Sequence, residues 1–276
     1  MSPDSHRSPQ DHVRIQLLGG FGVTIGGRAI PEHEFGRRIA RQLLKLIAIQ
    51  SNASLHREQI LDTLWPHLEP EAGAAQLYKA IHHVRRAFAT VVPKSTADSL
   101  FSLKEQVLTL EAEELSVDAH LFLEDAHAKD SAGAATLLEL YRGDLLPADR
   151  YEEWTLELRE ELTQRASDLR LLLGEQCLHE ERWDDAEVRF REVLEQDEVS
   201  EAAWLGWMQV LARRGDRGRL KKELTKCRQI LTEFTGEAPD KVFEDQVAAL
   251  LEIAGESATQ DQEASGATLR KSESTN

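Results

Sequence analysis

No apolar run in this chain approaches the roughly 18 residues that a bilayer-spanning helix needs. The first twelve residues, Met-Ser-Pro-Asp-Ser-His-Arg-Ser-Pro-Gln-Asp-His, contain no apolar signal core. Membrane spanning and secretion are therefore not expected, and a cytoplasmic location is. Cysteine is almost absent. Cys177 and Cys227 lack metal-ligand or redox-motif spacing, so they read as two buried thiols in a reducing compartment. No phosphate loop is present, because Gly20, Gly22 and Gly26 do not form G-x-G-x-x-G and no helix follows them at once. Catalytic constellations are missing too. The acidic runs Glu111-Ala-Glu-Glu114 and Glu152-Glu153 have no nucleophile or glycine-framed pocket beside them and read as solvated helix surface. His82 and His83 are adjacent, so on a helix they point about 100° apart, unlike a metal pair. His56 and His67 add no ligand spacing. Trp183, Trp204 and Trp207 fit packing between repeats better than a ligand cage. No metal, cofactor or enzymatic activity is expected.

A basic surplus is also missing from the whole chain, whose formal net charge is −16 over 276 residues. The deficit is uneven. Residues 1–95 carry 12 Lys+Arg against 8 Asp+Glu, a charge of +4, which leaves −20 on the remainder. A basic N-terminal module can approach nucleic acid while an acidic C-terminal one faces protein or solvent.

The basic part alternates first as strands. Val13, Ile15 and Leu17 form one apolar face of a strand over Val13–Leu18, and Phe21, Val23 and Ile25 repeat the pattern. Gly26-Gly27 is a hairpin turn leading to Arg28–Ile30. A helix is predicted over Arg37–Gln50, with Leu43, Leu44, Ile47 and Ala48 inward and Arg37, Arg38, Arg41 and Lys45 as a basic flank. Ser54 is a candidate cap for a second helix that carries Ile60, Leu61 and Leu64 and stops at Trp65-Pro66. A third spans Glu71–Ala89, with Leu77, Ile81, Val84 and Phe88 on one face. Its opposite face carries Lys79, His82, His83 and Arg86, with Gln76, Tyr78 and Arg85 on the shoulders. A hairpin of Leu100–Leu103 and Val107–Leu110 follows.

Alone, the third helix fits a solvated surface helix as well as a DNA recognition helix. The order sheet, helix, helix, helix, hairpin favours the second, because it is the layout of a winged helix, whose third helix enters the major groove. Arg85 and Arg86 fit either a phosphate clamp or a helix end that favours positive charge. Of the two, Arg86 points away from Leu77 and Val84 and is the stronger candidate.

From Val117-Asp118-Ala119 onward every predicted element is helical. A long helix is predicted over Tyr151–Glu180, followed by a 34-residue repeat. Ala186 and Leu220 stand one period apart, as do Phe190 and Leu224. Trp204, Gly174, Ala186 and Gly215 occupy tetratricopeptide-like positions, although no proline separates the repeats at Asp197-Glu198-Val199. Pro239–Ile253 is a predicted capping helix. Residues 1–12 and 255–276 are expected to be disordered, the latter being rich in Ser, Thr, Glu and Gln.

Several separated segments resemble the bacterial transcriptional activator domain proteins, the group that includes the Streptomyces antibiotic regulatory proteins. They are Val13–Ile30, Arg38–Leu46, Leu55–Pro66, Glu71–Phe88 with its Val-Arg-Arg-Ala-Phe end, Val117-Asp118-Ala119 with Phe122, Tyr-Arg-Gly-Asp-Leu-Leu-Pro at 141–147, and Tyr-Glu-Glu-Trp at 151–154. Their joint order is more specific than any one of them. The resemblance implies an α+β then all-α chain: a response-regulator-type winged helix over 13–112, then a helical, tetratricopeptide-like activator domain over 117–254. It further implies sequence-specific binding to double-stranded promoter DNA and contact with RNA polymerase, with the acidic half mediating polymerase contact or homodimer formation. The residues expected at DNA are Gln76, Tyr78, Lys79, His82, His83, Arg85 and Arg86. Ala74-Ala75 departs from relatives that carry polar or basic residues there, which moves base readout onto Gln76–His83. It also leaves open an alternative, an interaction adaptor whose winged helix no longer touches DNA. No segment resembles the ATPase or sensor domains into which many relatives continue.

Overall fold

The computed structural model describes residues 12–124 and 131–255, so the expectations of disorder at 1–12 and 255–276 lie outside the described residues except at His12 and Gly255, which are ordered in the first strand and the last helix. Contacts divide these into two compact units. Residues 12–124 with 136–165 form the first, and 131–135 with 166–255 the second. The order is the expected one, an α+β winged helix followed by a helical unit.

In the first unit, β1 (His12–Gln16), β2 (Gly22–Ile25), β3 (Arg28–Ile30) and β7 (Glu114–Val117) form a sheet in the order β3-β2-β1-β7. β1 pairs antiparallel with β2 at Val13↔Ile25 and parallel with β7 at Ile15↔Val117. Val13 and Ile15 are fully buried while Arg14 between them is exposed, the alternation that one covered sheet face imposes. The turn at Gly26-Gly27 has φ of 56° and 77°, the double left-handed geometry of a tight hairpin.

The trihelical core consists of α1 (Arg38–Ala48), α2 (Arg57–Leu64) and α3 (Pro70–Phe88). A short α4 (Lys94–Leu100) leads into the wing, β5 (Phe101–Lys104) and β6 (Val107–Leu110). The wing turns at Glu105 and Gln106, both with positive φ. A third strand, β4 (Ser54–His56), pairs with β6 at Leu55↔Leu108. Leu43, Leu44, Ile47, Leu77, Val84 and Phe88 are all fully buried between the helices. Phe35, Phe88 and Phe101 extend this core edge to face, at centroid separations of 6.5 and 6.2 Å.

Several local expectations change. Ser54 lies in β4 and does not cap α2. His56 does, its Nδ1 accepting from the Glu58 N–H at 3.3 Å. The run Glu111–Glu114 is a loop that enters β7, not a helix surface. The first strand ends at Gln16, because the Asp118 carboxylate takes the N–H groups of Leu17 (2.7 Å) and Leu18 (3.1 Å). Two short helices, α5 (Asp118–Leu123) and α6 (Ser131–Leu140), precede the long helix, α7, which runs Leu156–His179, since residues 153–155 form a separate 3-10 turn.

The segment 141–155 also packs in this unit. Leu146 donates to Leu17 O at 2.9 Å and Gly19 to Asp144 O at 3.0 Å. A Cβ on Gly19 would sit 2.6 Å from Arg142 O, so only glycine permits this crossing. Asp149 then reaches Lys45 of α1 at 2.6 Å, the two side chains being 5% and 6% exposed. Lys45 Nζ also lies 4.7 Å from the Phe21 ring centroid. Glu152 accepts from Arg38 at 3.0 Å and from Gln42 at 2.7 Å. Arg159 closes the loop by donating to the carbonyls of Leu145 and Arg150, each at 3.1 Å.

In the second unit, α8 (Trp183–Gln196), α9 (Glu201–Arg213), α10 (Arg217–Thr235) and a last helix α11 over 241–255 follow the end of α7. The positions related by 34 residues, Ala186 with Leu220 and Phe190 with Leu224, are all buried. Cβ atoms on Gly174 and Gly206 would stand 2.7 and 2.4 Å from the Phe190 ring, which explains the two small residues. Trp204 stacks on Trp207 at 5.5 Å and donates its indole N–H to Glu198 O at 2.8 Å, so these rings are packing elements. Cys177 and Cys227 are buried free thiols, and burial pushes the Cys227 thiol up to about 12.

Candidate nucleic-acid interface

α3 starts at Pro70, whose missing N–H costs nothing in a first helical turn. Its inner face is closed by Leu77, Ala80, Ile81, Val84, Ala87 and Phe88. Gly73 and Ala74 are buried as well. A Cβ on Gly73 would stand 3.3 Å from the Leu61 side chain of α2. The small residue at 73 is therefore a packing requirement of the α2–α3 corner, and Ala74, 8% exposed, lies on the buried side of the helix. Ala75 beside it is exposed.

The outer face carries the seven residues singled out from the sequence, and the structure separates them. Tyr78, Lys79, His82 and Arg86 are exposed; Gln76, His83 and Arg85 are half-buried. Tyr78 is 57% exposed, an aromatic ring left in solvent by a helix with an otherwise complete core. Arg85 stands apart. Its Nε donates to Phe101 O at 2.7 Å and lies 3.7 Å from Asp98, so it ties α3 to α4 and the wing. Its guanidinium is already engaged inside the fold. Among the described residues, Gln76, Tyr78, Lys79, His82 and Arg86 make no side-chain hydrogen bond or ion pair within the protein. His83 turns toward the chain before α1, where its Nδ1 would lie 3.4 Å from a Cβ on Gly36. Burial, then the charges of Arg37, His82 and Arg86, hold its pKa below the ordinary imidazole value. His83 is thus neutral near pH 7, able to donate from one ring nitrogen and accept at the other.

One support of the wing tip and one charge near this face were not apparent in the sequence. Arg57 supports the wing tip, its backbone N–H reaching Gln106 O at 2.7 Å and its Nη1 reaching Gln106 Oε1 at 3.2 Å. Arg37, exposed and extended just before α1, follows Gly36, the residue that approaches the His83 ring, and its charge acts on that imidazole. Both are distant from α3 in sequence, so helical periodicity carries no trace of them.

Chemically, the face offers two exposed cations, two imidazoles, a carboxamide and a phenol over about three helical turns. These groups can pair with phosphates and with base edges. Among the described residues no group of three or more His, Cys, Asp or Glu side chains is placed to hold a metal ion. No described helix is long and apolar enough to cross a membrane.

No family model and no curated protein sequence matches the chain. Among solved structures it is similar to Mycobacterium tuberculosis EmbR in complex with a low-affinity phosphopeptide. That alignment has a TM-score of 0.73 at 14% identity and covers 94% of this chain and 71% of the EmbR chain. The likeness to activator-domain regulators read from the sequence therefore holds at the level of fold.

Proposed function

We propose that this protein is a cytoplasmic transcriptional regulator, not an enzyme, that binds promoter DNA sequence-specifically by seating α3 in the major groove. The observation that carries this is the outer face of α3, where Gln76, Tyr78, Lys79, His82 and Arg86 make no side-chain hydrogen bond or ion pair among the described residues, on a helix whose inner face is buried in a winged helix. The EmbR-like architecture supports a regulator. Lys79 and Arg86 neutralise phosphates, and Gln76 and His83 read bases. DNA contact lies within 13–112. The acidic, tetratricopeptide-like region within 117–254 acts as an activator by meeting RNA polymerase or by forming a homodimer. Functional and packing divisions differ, since 136–165 pack with the DNA-binding part.

Gel shifts of the full chain on its own promoter region, across a salt series, test this. Affinity should fall steeply as salt rises, because binding releases counterions from the duplex. Lys79→Ala should weaken binding to every sequence alike. Gln76→Ala should cost about 1–3 kcal/mol and relax one position of the site. A flat salt response would refute the proposal.

A second reading, an interaction adaptor, draws on one feature of the helical unit. A groove of about 640 Å³ lined by Trp183, His179 and Arg213 and a neighbouring one of about 400 Å³ share Glu175, Gln209 and Leu250. Biological activity that survives charge reversal at both Lys79 and Arg86 would favour it.

A further inference from the structure

We propose that Arg37, His83 and Arg86 form a single subsite for a DNA backbone phosphate, and that filling it is coupled to protonation of His83. This rests on the DNA-binding reading above. It adds to that reading a contact from outside the recognition helix and a proton taken up on binding, and it moves His83 from base readout to the backbone, leaving base readout to Gln76.

The geometry begins at Gly36. Its φ of +67° turns the chain sharply between the buried Phe35 and α1, bringing the backbone against the His83 ring. A Cβ there would stand 3.4 Å from His83 Nδ1. Arg37 follows in extended conformation (φ −99°, ψ 144°) as the residue before α1, one position along from that contact. Arg86 lies three residues beyond His83 on α3, the spacing that places side chains on one helix face. One half-buried imidazole thus lies between the turn that leads into Arg37 and the α3 face that carries Arg86, and the charges of both residues act on it.

The charges around it are unbalanced. Arg37 and Arg86 make no side-chain ion pair among the described residues, whereas Arg38, Arg41 and Arg85 each have a carboxylate. The acids on the turn that packs against α3 are also taken. Glu32 holds Arg41 at 3.0 Å, and Glu34 meets His33 at 3.4 Å. On α3 itself, the His82 ring lies 6.1 Å from the His83 ring. The charged groups acting on His83 are Arg37, His82 and Arg86, all cationic or able to become so, and with burial they keep the free imidazole neutral.

An anion between the two guanidiniums reverses that balance. A phosphate has the oxygen acceptors that guanidinium and imidazolium donors satisfy in charge-assisted hydrogen bonds, and its charge favours the imidazolium. The His83 pKa is then low in the free protein and higher in the complex. Between those two values binding takes up a proton, so affinity is greatest at acid pH and declines as pH rises through the window. Arg37 contributes one further phosphate contact, sequence-independent by nature.

Fluorescence anisotropy of the full-length protein on two short duplexes, one from the gene's own promoter region and one scrambled, tests both parts. Arg37→Ala should weaken binding to both duplexes alike, roughly eightfold at about 0.1 M salt, and should flatten the salt slope by about one. Arg14→Ala, which removes the same charge from strand β1, should leave the slope unchanged and serves as the control for net charge. Wild-type affinity should decline between about pH 6 and pH 8, and His83→Gln should remove most of that decline. Wild-type affinity and slope in Arg37→Ala would overturn the subsite, and so would a full pH response in His83→Gln. Absence of binding by the wild-type protein to either duplex at low salt would instead refute DNA binding itself, and the subsite with it.

Discussion

Replacing Asp149 with alanine tests how the segment 141–155 is held against α1. In the native protein the Asp149 carboxylate meets Lys45 Nζ at 2.6 Å with both side chains about 95% buried, and Arg38 adds a weaker contact at 3.8 Å. The substitution leaves an ammonium group in the last turn of α1 with, among the described residues, the face of Phe21, 4.7 Å away, as its remaining partner. A cation–π contact offsets about 2 kcal/mol at most, less than the desolvation of the charge. Breaking a buried pair from one side costs about 3–5 kcal/mol. A unit of this size loses roughly 3 °C of Tm per kcal/mol, so its unfolding transition should fall by about 10–15 °C. Differential scanning calorimetry of the full chain provides the assay, the helical unit's transition serving as an internal reference. The double variant Lys45→Met with Asp149→Leu removes both charges and should recover most of the loss, because apolar replacement of a buried pair is often close to neutral. A shift below about 3 °C in Asp149→Ala, or a double variant no better than the single one, would refute the account of a dry, tightly paired contact.

Three further outcomes follow from other contacts. Arg85→Ala should cost about 1 kcal/mol in chemical denaturation through loss of the Phe101 carbonyl bond, yet leave the salt slope of DNA binding intact; a slope reduced by one would place Arg85 on a phosphate after all. Gly206→Ala should destabilise the helical unit by about 1–3 kcal/mol, since its new methyl group would meet the buried Phe190 ring at 2.4 Å, and unchanged thermal unfolding would show that the ring has room to retreat. Hydrogen bonds from Arg228 hold the Glu244 carboxyl below the usual carboxylate range. That pair contributes stability above the unfolded-state pKa and loses it as pH falls through the folded value, so Glu244→Gln should flatten the acid side of the unit's Tm profile; an acid limb as steep as the wild type's would count against it.

Much of this fold was legible because it is periodic. The stripe Leu77, Ile81, Val84, Phe88 marked the buried face of α3 and thereby its outer face, and the alternation of Val13 with Ile15 marked β1. What escaped lacks period or acts at long range. β4 has three residues and exists through its pairing with β6. β7 has two apolar residues, Leu115 and Val117, behind an acidic run, and is a strand because β1 offers it an edge. The cap on α2 was misplaced at Ser54 because serine is the commoner cap, whereas the pairing of Ser54 with Thr109 commits it to a sheet. At the interface, residue types and their face followed from the helix alone. The engagement of Arg85 depends on where β5 begins, the tight fit of Gly73 on Leu61, and the approach of Gly36 to the His83 ring on the turn before α1, none of which local sequence specifies.

The parallel pairing of β1 with β7 also bears on synthesis. β1 leaves the ribosome about a hundred residues before its second neighbour, which at roughly 5–20 residues per second is several seconds or more. During that interval β2 and β3 can close one side of β1 by local hairpins, while its other side presents an open row of N–H and C=O groups and an uncovered face bearing Val13 and Ile15. The nascent chain is then most exposed to strand-to-strand association with a neighbouring copy on the same messenger. Arg14, exposed at the centre of β1, puts a charge at the middle of that vulnerable strand and so acts as a safeguard during translation that the finished protein no longer needs.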